Sequence, residues 1–326
     1  MGENTNTTKP KLFITRALPP AVEARARRDY DAITQNEGAV LSAGDIINKS
    51  TNCDAILTCP ADPINGETIK QLNERIKIIA TFSVGFEHVD LGAAAMRNIP
   101  VTNTPDVLTD ATADVALLLI LGATRRAAEG MKLIAENKWT GWTPTQLMGS
   151  QIGGKRLGVL GMGRIGQATA DRARAFGMEI HYHNRSRLAP ELEKGATYHE
   201  SAEGLLAVSD VLSIHCPLTP ETNKFLNAPR IAMLPKGAVV INTARGPVID
   251  DDALITALKT GHISTAGLDV FAGEPKLNQG YTKLDNVFLL PHLGSATIET
   301  RNAMGFKALD NLDAFFAGRE IPNRVN

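Results

Sequence analysis

The chain has 326 residues, 43% of them hydrophobic and 21% charged, and its formal net charge is −1 at pH 7. This composition is that of an ordinary globular protein, and a charge so close to neutral gives no attraction to nucleic acid or to a membrane surface. The odd number of cysteines and their spacing, at Cys53, Cys59 and Cys216, predict reduced thiols and no metal site.

The first third of the chain alternates short apolar runs with helix-like segments. The opening segment Met1–Pro10 is polar, lacks the apolar core of a signal peptide and is predicted to be a frayed tail, so we predict a cytoplasmic protein. The predicted strands are Leu12–Thr15, Ala55–Thr58, Ile76–Thr81 and Val101–Thr102, and the predicted helices are Pro20–Tyr30, Gly66–Leu72 and Val89–Arg97. Such alternation predicts a parallel sheet covered by helices.

The middle of the chain opens with a long apolar segment, Thr112–Gly122, which we predict to be a helix capped by Asp110. An irregular stretch with Trp139 and Trp142 follows it, and a second series of strands begins after Gly153. Its predicted strands are Leu157–Leu160, Met178–Tyr182, Val211–His215, Ala238–Asn242, Ala266–Val270 and Val287–Leu290. The amphipathic segment Ala296–Ala317 is predicted to be a helix that returns to the first domain.

A glycine turn follows the first strand of the second series. The run Gly161-Met-Gly163-Arg-Ile-Gly166 joins an apolar strand to a helix start, which is the context that a dinucleotide-binding turn needs. We therefore predict an α/β protein with two doubly wound parallel sheets. A Rossmann nucleotide-binding domain at 107–293 is inserted into a discontinuous flavodoxin-like substrate domain at 1–106 plus 294–326.

Three charged side chains follow neighbouring strands of the second series. Arg245, Glu274 and His292 come just after three predicted strands, and parallel strands present their carboxyl ends at one edge of the sheet. Each alone could be a surface arginine, a turn residue or a structural histidine. Together they suit one reaction: arginine grips a carboxylate, histidine transfers a proton, and glutamate orients the histidine. With a hydride carrier at the glycine turn, the set predicts reduction of a 2-keto acid.

Motifs along nearly the whole chain, from Lys11 to about Gly318, carry a family resemblance. They are Ser83–Asp90, Asn103–Thr109, Gly161–Gly166, His215–Leu218, Asn242–Gly246, Gly267–Pro275 and Pro291–Ser295. At these residues the chain resembles the D-isomer-specific 2-hydroxyacid dehydrogenases, and it is most similar to their glyoxylate and hydroxypyruvate reductase branch.

The resemblance implies a role for each matching residue. Arg245 would bind the substrate carboxylate together with the backbone amides of Val84 and Gly85, and His292, paired with Glu274, would protonate the carbonyl oxygen. The implied cofactor contacts are Thr109, Gly161, Gly163, Arg164, Ile165, Gly166, Cys216, Pro217, Thr243, Ala244, Asp269, His292 and Gly294. The resemblance also implies a homodimer held by an arm at about 110–152. Trp142 of that arm would reach the neighbouring active site, although plain dimer packing explains it equally well.

One position departs from the NAD pattern of the family. NAD-specific members have an acidic residue about 20 residues beyond the glycines, where this chain has Asn184 followed by Arg185, Ser186 and Arg187. An amide and guanidinium groups favour a 2′-phosphate that a carboxylate would repel. We predict that NADP(H) is preferred and NAD(H) is possible, unless both arginines face water and discrimination is loose.

Other functions remain open at this point. Within the same fold the substrate could be lactate, a branched-chain analogue or phosphoglycerate, but the loop Thr58–Pro63 adds no cationic side chain for a phosphate. A nucleotide-sensing binding protein without turnover is the rival from another class. The presence of Arg245, Glu274 and His292 weighs against that rival.

Overall fold

The computed structural model describes residues 9–36, 38 and 40–326, so nearly all of the predicted tail lies outside the described residues. The chain divides into two compact units, one formed by Met1–Leu108 with Ala296–Asn326 and the other by Thr109–Ser295. The sequence places these divisions at 106/107 and 293/294.

The first unit contains a five-stranded parallel sheet in the order β2-β1-β3-β4-β5. Its strands are β1 (Lys11–Ile14), β2 (Asp31–Ile33), β3 (Ala55–Thr58), β4 (Ile78–Thr81) and β5 (Val101–Thr102). Its helices are α1 (Pro20–Asp29), α2 (Ala43–Lys49), α3 (Gly66–Gln71), α4 (Leu91–Met96) and α12 (Ile298–Phe316). This is the flavodoxin-like strand order, as predicted.

The predicted return of the C-terminal helix is correct. Leu309 and Leu312 of α12 are fully buried in the same core cluster as Leu12 and Ile78 of the sheet. Helices cover both faces of this sheet, so its central strands are apolar throughout rather than alternating. That is why the sequence marks β3 and β4 clearly.

The second unit contains a seven-stranded parallel sheet in the order β12-β11-β10-β9-β6-β7-β8, which is the Rossmann arrangement. Its strands are β6 (Arg156–Leu160), β7 (Glu179–His183), β8 (Thr197–Tyr198), β9 (Val211–Ile214), β10 (Ala238–Asn242), β11 (Ile263–Leu268) and β12 (Val287–Leu289). Its helices are α5 (Thr109–Thr124), α6 (Ala127–Ala135), α7 (Arg164–Ala175), α8 (Pro190–Glu193), α9 (Ala202–Val208), α10 (Ala228–Ile231) and α11 (Asp251–Lys259). Among the described residues, no helix combines the length and apolar character needed to cross a bilayer.

Two details differ from the sequence-based expectation. Asp110 is not a cap, because α5 already begins at Thr109 and places Asp110 in its first turn, where it pairs with Arg172 of α7 at 3.0 Å. Strand β11 covers Ile263–Leu268 instead of Ala266–Val270, because the chain leaves the sheet after Leu268 to form the loop that carries Glu274.

Candidate active site

The glycine turn between β6 and α7 packs directly against the end of β9. Gly161 has a φ of +96°, and a Cβ there would lie 2.6 Å from the backbone nitrogen of Cys216. Gly166 is equally confined, since a Cβ would collide with the carbonyl oxygen of Gly161 and approach Val159. The first glycine thus allows the sharp turn and the third allows helix and strand to pack closely.

Gly163 differs from the other two glycines, because a Cβ at this position would meet nothing within 4 Å. It is the N-cap of α7 and provides no side-chain cap, so Arg164, Ile165 and Gly166 begin a helix whose end points into open space. Such a helix end binds phosphate through backbone N–H groups and the helix dipole. The turn therefore fits a dinucleotide pyrophosphate, which would approach the backbone closely at Gly163.

The two glycines give a matched pair of variants. We expect Gly163→Ala to leave the melting temperature of the free protein unchanged and to weaken dinucleotide binding at least about tenfold, because the methyl group fills the phosphate side of the turn. Gly166→Ala should instead destabilise the fold by about 1–3 kcal/mol through overpacking. Thermal unfolding with and without NADPH measures both, and equal loss of stability in the two variants would contradict this assignment.

The crevice beside the turn lies where the strand order reverses, between β6 and β9. Cys216 and Pro217 follow β9, and the backbone of Cys216 packs against Gly161 of the turn. Their predicted contact with the cofactor stays a prediction. Burial raises the pKa of the Cys216 thiol to about 11, and all three cysteines are free, so Cys216 is an inert thiol here. Burial likewise lowers the pKa of the neighbouring His215 to about 4, which keeps this imidazole neutral at physiological pH.

The end of β7 carries the four residues predicted to select the cofactor. Asn184 accepts a hydrogen bond at Oδ1 from the backbone nitrogen of Met162, at 2.6 Å, so its side chain is held against the glycine turn. Arg185 and Ser186 are exposed. Arg187 is also exposed, and its guanidinium forms two hydrogen bonds with the carboxylate of Glu193, at 2.8 and 3.1 Å. Its predicted contact with the cofactor stays a prediction.

The loop after β10 carries Thr243, Ala244 and Arg245, and the side chain of Asn242 shapes it. The Oδ1 of Asn242 accepts from the nitrogen of Ala244 at 2.9 Å, and its Nδ2 donates to the carbonyl of Arg245 at 3.0 Å. Gly246 then contacts the backbone of Phe271, so this loop packs directly on the loop that carries Glu274. Asn242 is a polar residue that ends an otherwise apolar strand, which is a signal visible in the sequence, but its role was not predicted.

Glu274 and His292 are in direct contact. The Nδ1 of His292 lies 2.7 Å from Oε2 of Glu274, whose Oε1 accepts from the nitrogen of Phe271 at 2.7 Å. The side chain of His292 remains 45% exposed. Nδ1 is the nitrogen that donates to Glu274. Nε2 is therefore the nitrogen that can exchange a proton with another molecule.

Electrostatics keep this pair charged. The hydrogen bond to Glu274 raises the pKa of His292, against the opposing effects of burial and of the nearby Arg245 charge. Burial alone would raise the pKa of Glu274, but its hydrogen bonds with His292 and Phe271 outweigh this and leave the pKa lowered. The imidazole of His292 therefore keeps its proton at pH values above its ordinary pKa, which is the charged form that can donate a proton.

Asp269 holds the loop on which His292 lies. Its carboxylate is buried and accepts from the backbone nitrogens of Leu293 and Gly294, at 2.6 and 2.8 Å, and its carbonyl accepts from the nitrogen of His292. Burial raises the pKa of Asp269. This anchoring role was not predicted, and the predicted cofactor contact of Asp269 stays a prediction. The hydroxyl of Thr112 in α5 donates a hydrogen bond to the carbonyl oxygen of Gly294, at 3.1 Å.

The remaining predicted residues lie elsewhere. Val84 and Gly85 follow β4 in the first unit, where Asn103 and Ser83 bind their carbonyl oxygens. Thr109 is the first residue of α5. Trp142 is 78% exposed, in the irregular stretch after α6. Within the described part of the chain, no group of three or more histidine, cysteine or acidic residues could hold a metal ion.

Comparisons with known proteins agree with this geometry. Residues 117–294 match the family model described as "D-isomer specific 2-hydroxyacid dehydrogenase, NAD binding domain". The chain is 43% identical to a glycerate dehydrogenase of Hyphomicrobium methylovorum, over 96% of this chain and 98% of that protein. It is 42% identical to a glyoxylate reductase of Thermococcus litoralis, over 98% and 97%.

A solved structure extends the likeness to the fold. An NADPH-dependent glyoxylate/hydroxypyruvate reductase from Sinorhizobium meliloti, in complex with NADP and malonate, is 34% identical. It superposes with a TM-score of 0.86, over 98% of this chain and 97% of that one.

Proposed function

Because this chain belongs to the D-isomer specific 2-hydroxyacid dehydrogenase family, we propose that it reduces glyoxylate or hydroxypyruvate with NADPH as the preferred donor. The general activity, nicotinamide-dependent interconversion of 2-keto and 2-hydroxy acids, follows from the membership itself. The observation that carries the proposal is the 2.7 Å contact between His292 and Glu274, at the sheet edge that also presents Arg245.

The proposed reaction is R-CO-COO⁻ + NADPH + H⁺ → R-CHOH-COO⁻ + NADP⁺. The bound dinucleotide supplies the hydride. Arg245 holds the substrate carboxylate through its planar fork. His292 donates its proton to the carbonyl oxygen, and Glu274 stabilises the imidazolium before transfer and fixes the ring. The assignment of Thr109, Thr243 and Asp269 to the nicotinamide side, and of Ala244 to the cofactor, is part of the same proposal.

The preference for NADPH rests on the end of β7. Asn184 presents an amide where a carboxylate would repel a 2′-phosphate, and the exposed Arg185 and Ser186 provide a guanidinium and a hydroxyl beside it. The Asn184 side chain is already fixed by Met162, so its Nδ2 donor is the group left for the cofactor. NAD(H) lacks the phosphate and would be used less efficiently.

We expect kcat/KM to favour NADPH over NADH by at least about tenfold, and Asn184→Asp to reduce that ratio at least about tenfold by placing a negative charge beside the phosphate. A panel of glyoxylate, hydroxypyruvate, pyruvate, branched-chain 2-keto acids and phosphohydroxypyruvate, each with both cofactors, measures cofactor and substrate choice together. Reduced nicotinamide absorbance is the readout. A strong preference for NADH in the unmodified enzyme would contradict the cofactor proposal.

The pH dependence tests the role of Glu274. Since this carboxylate raises the pKa of His292, the unmodified enzyme should keep its reductive activity until pH rises through that raised value. Glu274→Gln removes the largest effect that raises the pKa of His292 and leaves burial opposed only by the Asp269 charge, so the alkaline loss of reduction should begin at lower pH. Oxidation of the hydroxy acid requires neutral His292. The acidic limit of the pH profile for oxidation should therefore also move to lower pH. If the pH profiles of reduction and of oxidation are both unchanged in the variant, Glu274 does not have this role.

We also propose a homodimer built on the arm at about 110–152. No residue of α6 is buried, and large apolar side chains are exposed there: Leu118, Met131, Ile134, Trp139, Trp142 and Met148. So many exposed large apolar side chains within one segment favour a contact with another protein. Light scattering of the purified protein tests the proposal, and a monomer at micromolar concentration would contradict it.

A further inference from the structure

The loop 184–188, which carries the proposed phosphate ligands, contacts a cluster of three polar side chains, two of them buried. This cluster consists of Tyr182, Glu193 and Tyr198, none of which was predicted as functional. Tyr182 is fully buried and Glu193 is 7% exposed. A carboxylate so little exposed needs charged or hydrogen-bonded partners, and here all of its side-chain partners come from the loop or from β7.

Each end of the loop is bound to the cluster. At its start, the hydroxyl of Tyr198 donates to the carbonyl of Asn184 at 3.5 Å. At its end, the nitrogen of Leu188 donates to the hydroxyl of Tyr182 at 3.0 Å, and that hydroxyl donates to Oε1 of Glu193 at 2.6 Å. The backbone on both sides of Arg185 and Ser186 is therefore fixed by contacts outside the loop.

Arg187 completes the attachment. Its guanidinium binds both oxygens of Glu193 and lies over the ring of Tyr198, 5.7 Å from the centroid. A two-point pair with a mostly buried carboxylate fixes the direction of the guanidinium. Arg185 and Arg187 are both exposed and flank the same serine, but only Arg187 forms this pair with Glu193.

We propose that Glu193 is a positioning residue for cofactor selection. It holds Arg187 and Tyr182, and so fixes the backbone that presents Arg185 and Ser186 to the 2′-phosphate. Arg187 attaches the loop to Glu193, whereas Arg185 contacts the phosphate. The inference rests on the proposed NADPH preference, and it adds that the preference depends on a carboxylate that touches no part of the cofactor.

Glu193→Gln distinguishes this role from a direct one for Arg187. With Glu193 as positioning residue, the variant should raise KM for NADPH about tenfold, change KM for NADH less than twofold and leave kcat with saturating NADPH unchanged. If Arg187 were itself a phosphate ligand competing with Glu193, the same variant would release it. KM for NADPH would then fall or stay constant, and that result would overturn the proposal.

A binding experiment on the free protein gives a readout independent of turnover. Calorimetry should show weaker binding of adenosine 2′,5′-bisphosphate in Glu193→Gln and Arg187→Ala, with unchanged binding of 5′-AMP. Effects of the two changes should not add in the double variant, because both break the same pair. Hydrogen exchange of the peptide containing Leu188 should become faster in each variant. Additive losses with unaltered exchange would overturn the proposal.

Controls separate the possible failures. Arg174→Leu removes a hydrogen bond to the backbone carbonyl of Glu193, 2.8 Å long, without touching the loop, and should leave the NADPH preference unchanged. If Glu193→Gln is poorly folded, Arg187→Ala replaces it, since the Arg187 side chain is mostly exposed. Faster hydrogen exchange of the Leu188 peptide is then the deciding readout, because loss of a direct phosphate contact would not change exchange in the free protein. If Arg185→Ala does not alter NADPH binding, the proposed phosphate site itself is wrong. If Arg185→Ala weakens it and Glu193→Gln does not, only the positioning role fails.

Discussion

Replacing His292 by asparagine is expected to lower kcat for keto-acid reduction by about 10²- to 10⁴-fold, the usual contribution of a positioned acid. Asparagine is the appropriate substitute because His292 has a φ of +56°, a conformation that asparagine tolerates better than alanine does. KM for the keto acid should change much less, since proton donation matters at the transition state and not in binding. Steady-state kinetics at pH 7 measures both constants.

The asparagine variant also separates chemistry from folding. The backbone nitrogen of His292 and those of its two successors are held by Asp269, and none of these bonds involves the imidazole. The melting temperature and the dinucleotide affinity should therefore stay near those of the unmodified protein. A variant that keeps full kcat would exclude His292 as the acid.

Replacing Arg245 by lysine is expected to lower kcat/KM for the keto acid by about 100-fold or more, mainly through a higher KM. Lysine keeps the charge but cannot make two parallel hydrogen bonds to a carboxylate. Because the positive charge stays near Glu274 and His292, the pH dependence of reduction should change little in this variant. Arg245→Gln should raise the pKa of His292 by removing that charge, and so extend reduction to higher pH at low efficiency.

Arg156→Lys is a matched control for the arginine substitution. Arg156 also belongs to the second unit and pairs with Asp210 through two hydrogen bonds, but it lies at the amino end of β6, away from the carboxyl ends of the strands. It should keep full kcat/KM. Similar losses in both variants would mean that the effect of Arg245→Lys is structural.

Strands with many buried residues were predicted well, and weakly buried elements were missed. Strand β10, buried at all five positions, was predicted with its true limits. Strand β2 has no buried residue, β8 has only two residues, and α2 buries only Ile46, so these elements produce no apolar run or stripe for the sequence to reveal. Local sequence patterns reveal buried residues, and these three elements contain few of them.

The sequence by itself determined the parallel α/β class of both sheets, the glycine turn, and the chemical types of the residues that follow the predicted strands. It did so because parallel strands place their carboxyl ends together, whatever the rest of the chain does. Only the tertiary structure decided which hydrogen bonds form. Asp269 binds the backbone of the loop that carries His292, Asn184 accepts from the nitrogen of Met162, and Arg187 donates to Glu193. These are choices between several partners within reach of one side chain, and they depend on which buried polar groups still need a hydrogen bond once the fold is complete.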